Sequence, residues 1–471
     1  MRNRILLFII HIVSFYPAMA QLRLPSLFSS HMVIQRETEL PIWGWAGPTQ
    51  DIQIQVSWDT TTIQTRVSNT SMWKTTIKTP PAGGPHTITI RAGSEEKVLD
   101  NVLSGEVWLC SGQSNMEWSM EASADGNQEW AKINDAQIRL FQVPRWAANS
   151  PQLKGEGDWN LCTGEPLRWF SAVAYYFGKT LNNELQIPIG LIHSSWGGTP
   201  AEVWVPQEVL DEDPYLKVVA DKQSAIDRPW CPSTPGAAYN SMIAPLIPYK
   251  LSGVIWYQGE SNVAFPLTYK LLMEKLISSW RKAFQSDLPF YYVQIAPFAG
   301  YGSDNQNGVL LREQQAKLQE VPNTGMVIIS DVTDDINDVH PKYKKPVGER
   351  LAHLALAKTY QVQKGASLYP IFNSMKIEGS RIILTFDNAS NGLVTKNGRE
   401  LNGFVIAGKD QKFYPAKAVV QKNTVILSSS RVKQPVAARF EWANDALPHL
   451  FNKEGLPVAS FRTDDWPILP Q

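Results

Sequence analysis

Cysteine is scarce in this sequence, and its scarcity excludes whole classes of fold and metal site. The 471 residues include three cysteines, Cys110, Cys162 and Cys231. A disulfide-stabilised scaffold needs a much higher density of cysteine, so that architecture is excluded. The cysteines form no close cluster with histidine of the kind that binds zinc, and we therefore predict no metal site. The sequence leaves open whether Cys162 and Cys231 pair.

An excess of charge of either sign is also lacking. The 44 Lys and Arg residues balance 44 Asp and Glu residues, which gives a formal net charge of zero. A protein that binds the phosphates of a nucleic acid is expected to carry a basic excess, so we predict no nucleic-acid partner. Hydrophobic residues make up 43% of the chain, which is enough for several sizeable cores.

Long apolar runs are absent except near the N-terminus. Arg2 and Arg4 precede a short apolar run at 5–13, and small residues at 18–20 form a cleavage pattern. These features predict a signal peptide over residues 1–20. A membrane anchor is the alternative, but the run is too short to span a bilayer. We therefore expect a secreted or periplasmic protein with no membrane span in the mature chain.

Three segments of different periodicity follow residue 20. Residues 21–103 alternate apolar and polar side chains between turn signals, which predicts a β-sandwich-like region. Residues 104–365 alternate short apolar strands with helices, which predicts an α/β domain with a parallel sheet covered on both faces. Residues 366–471 return to a β-rich pattern. The two β-rich regions could be separate or packed together, and the sequence does not decide between these arrangements.

Apolar runs and helical spacing predict the individual elements. The clearest helix places apolar residues on one face from Tyr269 to Phe284. We predict strands at 51–57, 86–91, 106–110, 189–193, 253–257, 290–295, 326–329, 381–386, 417–420 and 424–428, and helices at 172–185, 269–284, 309–320 and 346–360.

Polar residues follow the first three of four strands that could carry a site. Ligands of open α/β sheets bind beyond the carboxyl ends of the strands. Ser114 comes just after a glycine that permits a tight turn, which would expose its hydroxyl group. Gly197 and Gly198 follow the second strand and could direct backbone N–H groups at an oxyanion. Gln258 and Glu260 follow the third, as a possible oxyanion donor and a carboxylate.

The fourth strand is followed by an aspartate and a histidine. Of the seven histidines, only His193 and His340 lie at strand ends of the α/β segment. A nucleophilic serine needs a base, and a carboxylate must orient the imidazole. Asp338 lies two residues before His340. Each of these loops alone has an ordinary structural explanation, but together they predict a serine hydrolase with Ser114 as nucleophile and His340 as base.

The motifs also resemble a known family. Residues 112–116 (GQSNM), 195–199 (SWGGT), 256–262 (WYQGESN) and 338–341 (DVHP) are similar to those of the sialate O-acetylesterase family, carbohydrate esterases of the SGNH hydrolase superfamily. Residues 28–47 and 450–464 resemble the β-rich ends of that family. The resemblance therefore covers nearly the whole chain after residue 20.

The resemblance implies a fold and a mechanism. The fold would be a three-layer α/β/α catalytic domain with flanking β-rich regions. The acid of the Ser114–His340 pair would be Asp338, and the oxyanion hole would combine the N–H of Ser114 with Gly197 or Gly198 and the side chain of Gln258. No cofactor is implied.

The sequence departs from the superfamily pattern at the acid. The superfamily often has an aspartate three residues before the histidine, where this chain has Asn337. Asp335 and Glu260 are therefore reserve acids.

The resemblance implies an O-acetylated sugar as substrate, with 9-O-acetylated sialic acid first. Acetylated xylan or another plant or glycan polysaccharide is the alternative. A glycosidase that uses two carboxylates, and a noncatalytic carbohydrate-binding protein, are rivals of other classes. The oligomeric state stays open. Candidates to bind a substrate carboxylate are Arg139, Arg145, Arg168 and Arg312, and candidates to stack on sugar rings are Trp118, Trp196 and Trp204.

Overall fold

Residues 21–103 fold into strands and turns, as their alternation predicts. The computed structural model describes residues 21–303, 305–362, 367–398 and 400–467, so the predicted signal peptide lies outside the described residues. Buried and exposed residues alternate along the whole of the third strand. The strands are β1 (Val33–Gln35), β2 (Glu39–Trp45), β3 (Asp51–Val56), β4 (Asp59–Arg66), β5 (Met72–Lys78), β6 (Gly83–Ala92) and β7 (Glu95–Gly112).

The middle of the chain forms a mainly parallel sheet around β7. Its further strands are β8 (Asn134–Gln142), β9 (Asp158–Thr163), β10 (Ile189–Ser195), β11 (Gly253–Tyr257), β12 (Phe290–Val293) and β13 (Thr324–Val327). The order is β13-β12-β11-β7-β10-β8-β9, and every neighbouring pair is parallel except β8 and β9. All residues of β10 and β11 are buried, which is typical of strands in a parallel sheet.

Helices connect these strands. α3 packs against α8, and α6 packs against α7. The hydroxyl of Ser171 caps α3 by accepting the N–H of Ala174 at 3.1 Å. The helices are α1 (Ser114–Glu117), α2 (Gly164–Arg168), α3 (Ala172–Leu185), α4 (Gln207–Asp211), α5 (Pro214–Ser224), α6 (Tyr269–Phe284), α7 (Asn307–Lys317) and α8 (Lys345–Lys358).

Strand β7 connects the N-terminal strands to the mainly parallel sheet. Its first half pairs with β6 and β1, and its second half pairs with β10 and β11. Apolar side chains between residues 22 and 369 form one continuous core, joined by Leu456. The division between 103 and 104 remains a prediction about domains, but it falls inside this strand. Leu103 pairs with Val33, and Glu106, three residues later, pairs with Ile189.

The C-terminal region has small antiparallel sheets around a second core. This core, which includes Ile382, Phe404 and Leu450, is distinct from the one that contains the N-terminal strands. Of the two arrangements left open by the sequence, this separation favours two β regions that do not share a core. The strands are β14 (Ile371–Glu378), β15 (Arg381–Asp387), β16 (Leu393–Thr395), β17 (Phe404–Ala407), β18 (Phe413–Pro415), β19 (Lys417–Gln421), β20 (Thr424–Ser428), β21 (Ala437–Phe440), β22 (Leu450–Asn452) and β23 (Phe461–Arg462).

Predicted bounds differ from observed ones at several strands. The strand predicted at 106–110 is the second half of β7, which begins eleven residues earlier, at Glu95. The strand predicted at 326–329 is β13, which begins and ends two residues earlier, because an apolar run continues after the ladder of hydrogen bonds has ended. The strand predicted at 290–295 ends at Val293 for the same reason. The elements that were not predicted are strands β1, β2, β4, β5, β8, β9, β14, β16, β17, β18, β21, β22 and β23 and helices α1, α2, α4 and α5. All three cysteines are free, which answers the question about Cys162 and Cys231.

Candidate active site

Three of the motif loops begin at the same level of the sheet. Gly112 at the end of β7 lies opposite Ser195 at the end of β10 and opposite Tyr257 at the end of β11. Because these strands are parallel neighbours, the loops that follow them meet at one edge. The fourth motif returns to this edge through residues 328–344, between β13 and α8.

The turn after β7 requires glycine. Gly112 has φ +139°, and a Cβ atom there would lie 2.2 Å from the carbonyl oxygen of Tyr257. The N–H of Gln113 donates to the same carbonyl at 3.0 Å. α1 then begins at Ser114, so the N–H of Ser114 is one of the first of the helix and has no acceptor in the described part of the chain. The turn thus presents both a hydroxyl group and a free backbone donor.

His340 lies against Ser114. Its Nε2 atom is 2.9 Å from Ser114 Oγ, and the Trp118 ring stacks on the imidazole with centroids 4.8 Å apart. Burial lowers the pKa of His340, the charge of Lys344 lowers it further, and Asp338 raises it. The imidazole is therefore neutral near pH 7 and can accept the proton of the hydroxyl group.

Of the three acids considered, Asp338 alone faces the imidazole of His340. Its Oδ1 atom is 3.7 Å from His340 Nδ1, which is longer than a hydrogen bond, and it accepts the backbone N–H of His340 at 2.9 Å. Asp335 is exposed and accepts hydrogen bonds within its own loop. Glu260 instead accepts a hydrogen bond from Asn115 Nδ2 at 2.6 Å.

The two glycines after β10 have different surroundings. A Cβ atom on Gly197 would lie 3.3 Å from Ser114 Cβ, so its backbone is next to the nucleophile turn. Its N–H donates to Glu117 Oε2 at 2.9 Å. Gly198 has φ +81° and faces Trp230, whose Nε1 atom would be 2.3 Å from a Cβ atom there. The structure therefore brings Gly197, rather than Gly198, to Ser114.

The amide of Gln258 is already occupied. The residue is fully buried, and its Nε2 atom donates to the Thr199 carbonyl at 3.2 Å and to Asn262 Oδ1 at 2.7 Å. Its Oε1 atom accepts from Tyr269 Oη at 2.9 Å. Since both amide hydrogens have acceptors, no donor is left for an oxyanion, and we remove Gln258 from the expected oxyanion hole. Its observed role is to join the loops after β10 and β11.

A cleft of about 740 Å³ opens beside Ser114 and His340. Arg145 on its wall has an exposed side chain, and its Nε atom pairs with Glu117 Oε1. The guanidinium Nη1 and Nη2 atoms have no acceptor among the residues described. The other lining residues are Glu117, Trp118, Ser119, Ala122, Leu140, Gln142, Val143, Pro144, Asn160, Glu165, Pro166, Trp169, Phe170 and His193.

The structure separates the four arginines considered for a substrate carboxylate. Arg139 and Arg312 are buried and donate to backbone carbonyls. Arg168 pairs with Glu121 and with Glu165. Arg145 is the one of the four that lines the cleft.

The tryptophans divide in a similar way. Trp204 is fully buried and cannot hold a sugar ring. Trp118 lines the cleft but already stacks on the histidine, and Trp196 donates from its indole N–H to the Trp230 carbonyl at 3.1 Å. Trp169, which the sequence did not single out, is 60% exposed and lines the cleft. The Arg168 guanidinium lies over one face of its ring, 4.8 Å from the centroid, so the opposite face is the one that can receive a sugar ring.

Comparison with known proteins identifies the family of the chain. Residues 104–357 match the family described as carbohydrate esterase, sialic acid-specific acetylesterase. The chain belongs to this family. Sialate O-acetylesterases of Homo sapiens and Rattus norvegicus are similar to it. The human protein is 30% identical over 377 residues, 72% of this chain and 71% of the relative, and the rat protein is 29% identical over 398 residues, 72% and 73%.

A solved structure extends the similarity to both β-rich regions. The crystal structure of a carbohydrate acetylesterase from Xanthomonas citri has a TM-score of 0.86 and 35% identity, and the match covers 95% of this chain and 100% of that chain. The present chain is thus a carboxylic ester hydrolase that acts in carbohydrate deacetylation, with a mixed α/β fold and flanking β-sheets.

Within the described ranges, the esterase has no group of three or more His, Cys, Asp or Glu side chains that could hold a metal ion. No helix among those residues is long and apolar enough to cross a membrane.

Sequence reasoning gave no role to four residues of the site, which are Asn115, Glu117, Trp169 and Lys344. Asn115 lies inside the motif at 112–116 and Glu117 directly follows it, so their closeness to Ser114 in the sequence was the available signal. Lys344 lies among other lysines, and such a cluster usually predicts side chains exposed to solvent. Arg145 was one of four equal candidates, and only the fold distinguishes it.

Proposed function

We propose that this esterase removes O-acetyl groups from sialic acid by acyl transfer through Ser114, His340 and Asp338. The observation that carries the proposal is the 2.9 Å contact between His340 Nε2 and Ser114 Oγ beside an open cleft, in a chain of this esterase family. In the tautomer that carries its proton on Nδ1, the Ser114 hydroxyl donates to His340 Nε2, which is the direction that proton transfer to the imidazole needs.

In the first half-reaction, His340 Nε2 takes the proton of Ser114 as Oγ attacks the acetyl carbonyl carbon. Asp338, on the Nδ1 side, stabilises the imidazolium. The backbone N–H groups of Ser114 and Gly197 receive the oxyanion. Since Gly197 donates to Glu117 in the free enzyme, the Glu117 carboxylate must release that N–H when the acetyl group enters.

The first half-reaction ends when the tetrahedral intermediate collapses, the sugar oxygen leaves with the proton from His340, and an acetyl-Ser114 ester remains. The second half-reaction hydrolyses this ester. Water then attacks this ester while His340 takes one of its protons. Acetate leaves, and the proton returns to Ser114 Oγ. No group outside the chain and water is required by these steps.

Arg145 supports an acidic sugar as substrate. Its two terminal nitrogens are free to form a bidentate contact with a carboxylate, which is the arrangement that favours arginine at such sites. A sialic acid carries this carboxylate. The curated human and rat relatives are named for sialate, which supports the same choice.

A neutral acetylated glycan is the second candidate, and Trp169 favours it. An exposed indole on the cleft wall can stack on any sugar ring, with or without a charge. The acetylesterase of Xanthomonas citri is described only as acting on carbohydrate. Acetylated xylan is a suitable representative of this class.

The finer assignments of fold and location belong to the same proposal. We assign a three-layer α/β/α catalytic domain of SGNH type at 104–365, between β-rich regions at 21–103 and 366–471. The packing of α3 on α8 and of α6 on α7 supports two helical layers. A signal peptide at 1–20 and a secreted or periplasmic location complete the assignment.

The test measures acetate released from 9-O-acetylated sialic acid and from acetylated xylan by residues 21–471. Ser114→Ala is expected to abolish release, and Ser278→Ala, an equal change on the exposed face of α6, is expected to leave it unchanged. Arg145→Met is expected to reduce release from sialate and to spare release from xylan. Release that persists in Ser114→Ala would refute the mechanism, and preference for xylan would move the substrate to the neutral class.

A further inference from the structure

A lysine is buried directly behind the nucleophile. Lys344, the residue before α8, has no exposed surface, and its Nζ atom donates to Asn115 Oδ1 at 2.6 Å. The rings of Trp118 and Tyr257 lie 5.5 and 5.4 Å from Nζ. Burying an ammonium group is strongly unfavourable unless other groups compensate its charge. Such a residue is retained only where its surroundings balance the charge.

Glu260 provides the opposite charge through a shared amide. Asn115 accepts from Lys344 with its oxygen and donates from Nδ2 to Glu260 Oε1 at 2.6 Å. The Oε2 atom of Glu260 is buried and has no hydrogen-bond partner in the described part of the chain. When Lys344 is protonated and Glu260 is ionised, the lysine, the amide and the glutamate form one chain of groups with no net charge.

The same amide also holds the histidine loop. Asn115 Nδ2 donates to the carbonyl of Val339 at 3.0 Å. Asn115 follows Ser114 in the chain, and Val339 precedes His340. One side chain therefore connects the backbone neighbours of the two residues whose Oγ and Nε2 atoms lie 2.9 Å apart.

We infer that Lys344 is a positioning residue, which fixes the orientation of the Asn115 amide and thereby holds His340 against Ser114. The inference rests on the proposed function and extends it from the reacting groups to the buried groups that align them. Without the ammonium donor, Asn115 Oδ1 is left buried and unpaired, and the amide is free to rotate away from Val339.

Charge supports the geometry. Lys344 lowers the pKa of His340, and the groups that face Lys344 raise its own pKa, namely Glu260, Asp338 and Asp334. Burial nevertheless lowers the pKa of Lys344 to about 7. Below this pH, its positive charge opposes protonation of the imidazole. Removal of the lysine should therefore raise the pKa of His340 and move the acid limb of the pH–rate profile to higher pH.

The experiment compares Lys344→Met with Lys345→Met, measured with p-nitrophenyl acetate so that no particular sugar is assumed. Lys345 is the next residue and has a 43% exposed side chain. In Lys344→Met we expect kcat to fall roughly 100-fold with KM within about 3-fold, because a small misplacement of a reacting group has an effect of this size. Its acid limb should move upward. Lys345→Met should match the wild type in all three quantities.

A second variant separates positioning from stability. Lys344→Met with Glu260→Gln removes both charges, so it should melt closer to the wild type than Lys344→Met does, yet keep kcat at least roughly 10-fold low because Asn115 Oδ1 still lacks a donor. A folded variant with wild-type kcat and an unmoved acid limb would overturn the inference. So would failure of both variants to fold, which would assign Lys344 to core stability alone. Ser114→Ala that stays active would overturn the proposed function instead.

Discussion

The two sides of the active site are held in place by different means. Ser114 follows a buried central strand, and its turn is fixed by the backbone of Gly112 against Tyr257. His340 lies in residues 328–344, which contain only one short helical turn, at Ser330–Val332. Side chains hold that loop. We therefore expect the nucleophile side to be disrupted by substitutions that add bulk. We expect the histidine side to be disrupted by loss of a charged side chain or by a change of pH.

Further hydrogen bonds besides those of Asn115 hold the histidine loop. Arg350 on α8 donates to Asp331 through two nitrogens, each at 2.6 Å, and to the Ile328 carbonyl at 2.7 Å. The N–H of Ala299 donates to the Ile336 carbonyl at 2.7 Å. The loop is thus attached at its beginning, middle and end by neighbours from other elements.

Gly112→Ala should have the largest effect of these substitutions, on the nucleophile side of the site. The positive φ and the contact with the Tyr257 carbonyl each oppose a Cβ atom, and together they should lower the free energy of unfolding by about 4 kcal/mol. Urea denaturation measures the change. Gly164→Ala is the control, because Gly164 has φ +54° but open space, so it should lose only about 1 kcal/mol. Equal losses in the two variants would contradict the steric argument.

Arg350→Met tests the attachment of the histidine loop. Both partners of the Arg350–Asp331 pair are largely buried, and removal of one leaves the other charge without compensation. We expect a loss of about 3 kcal/mol in the free energy of unfolding. Lys217→Met, which breaks an exposed pair with Asp211, should cost less than about 1 kcal/mol. The same small loss of stability in both variants would show that the buried pair holds the loop no better than an exposed pair would.

Asp338→Asn tests which acid serves the imidazole. The neutral amide cannot stabilise the imidazolium, so kcat should fall about 100-fold, equivalent to about 2.7 kcal/mol. Asp335→Asn, in the same loop but turned away from His340, should keep kcat within about 3-fold. Steady-state kinetics on p-nitrophenyl acetate distinguish the two. The reverse order of effects would make Asp335 the acid.

The smallest expected effect is in the pH dependence of kcat/KM, which reports the protonation of His340. The pKa of His340 is lowered from the ordinary value of 6.5, so the neutral base persists as pH falls through 6.5 and is lost only below it. The acid limb of kcat/KM should therefore lie below pH 6.5. Trp118→Leu would expose the imidazole and should move the limb toward 6.5. A wild-type limb above 6.5 would be inconsistent with the burial of His340.

Much of the fold could be predicted because long periodic segments carry strong signals. α3 and α6 have the predicted bounds, since their apolar residues recur at helical spacing. β8 and β9 escaped prediction because only part of each strand is buried. The ends of β12 and β13 were misplaced because apolar residues continue beyond the last paired residue.

Less of the site could be predicted, because residue type does not give side-chain direction. The glycine before Ser114 and the position of His340 after a strand carried enough information to bring the two together. Gln258 has the right chemistry and the right loop, but its amide turns inward to Thr199 and Asn262. Lys344 has a side chain that normally faces water, and only the packing around Asn115 reveals its burial.

Strand β7 also has a consequence for how the molecule can be divided and synthesised. A truncated protein that began at residue 104 would start in mid-strand, without the pairing of Val33 with Leu103 and of β6 with Val98 and Leu99. During translation, residues 106–112 leave the ribosome before either of their neighbours, since β10 begins at Ile189 and β11 at Gly253. More than 75 residues must follow Gly112 before the first of these partners emerges, so this apolar half-strand is unpaired during that interval and is exposed to aggregation.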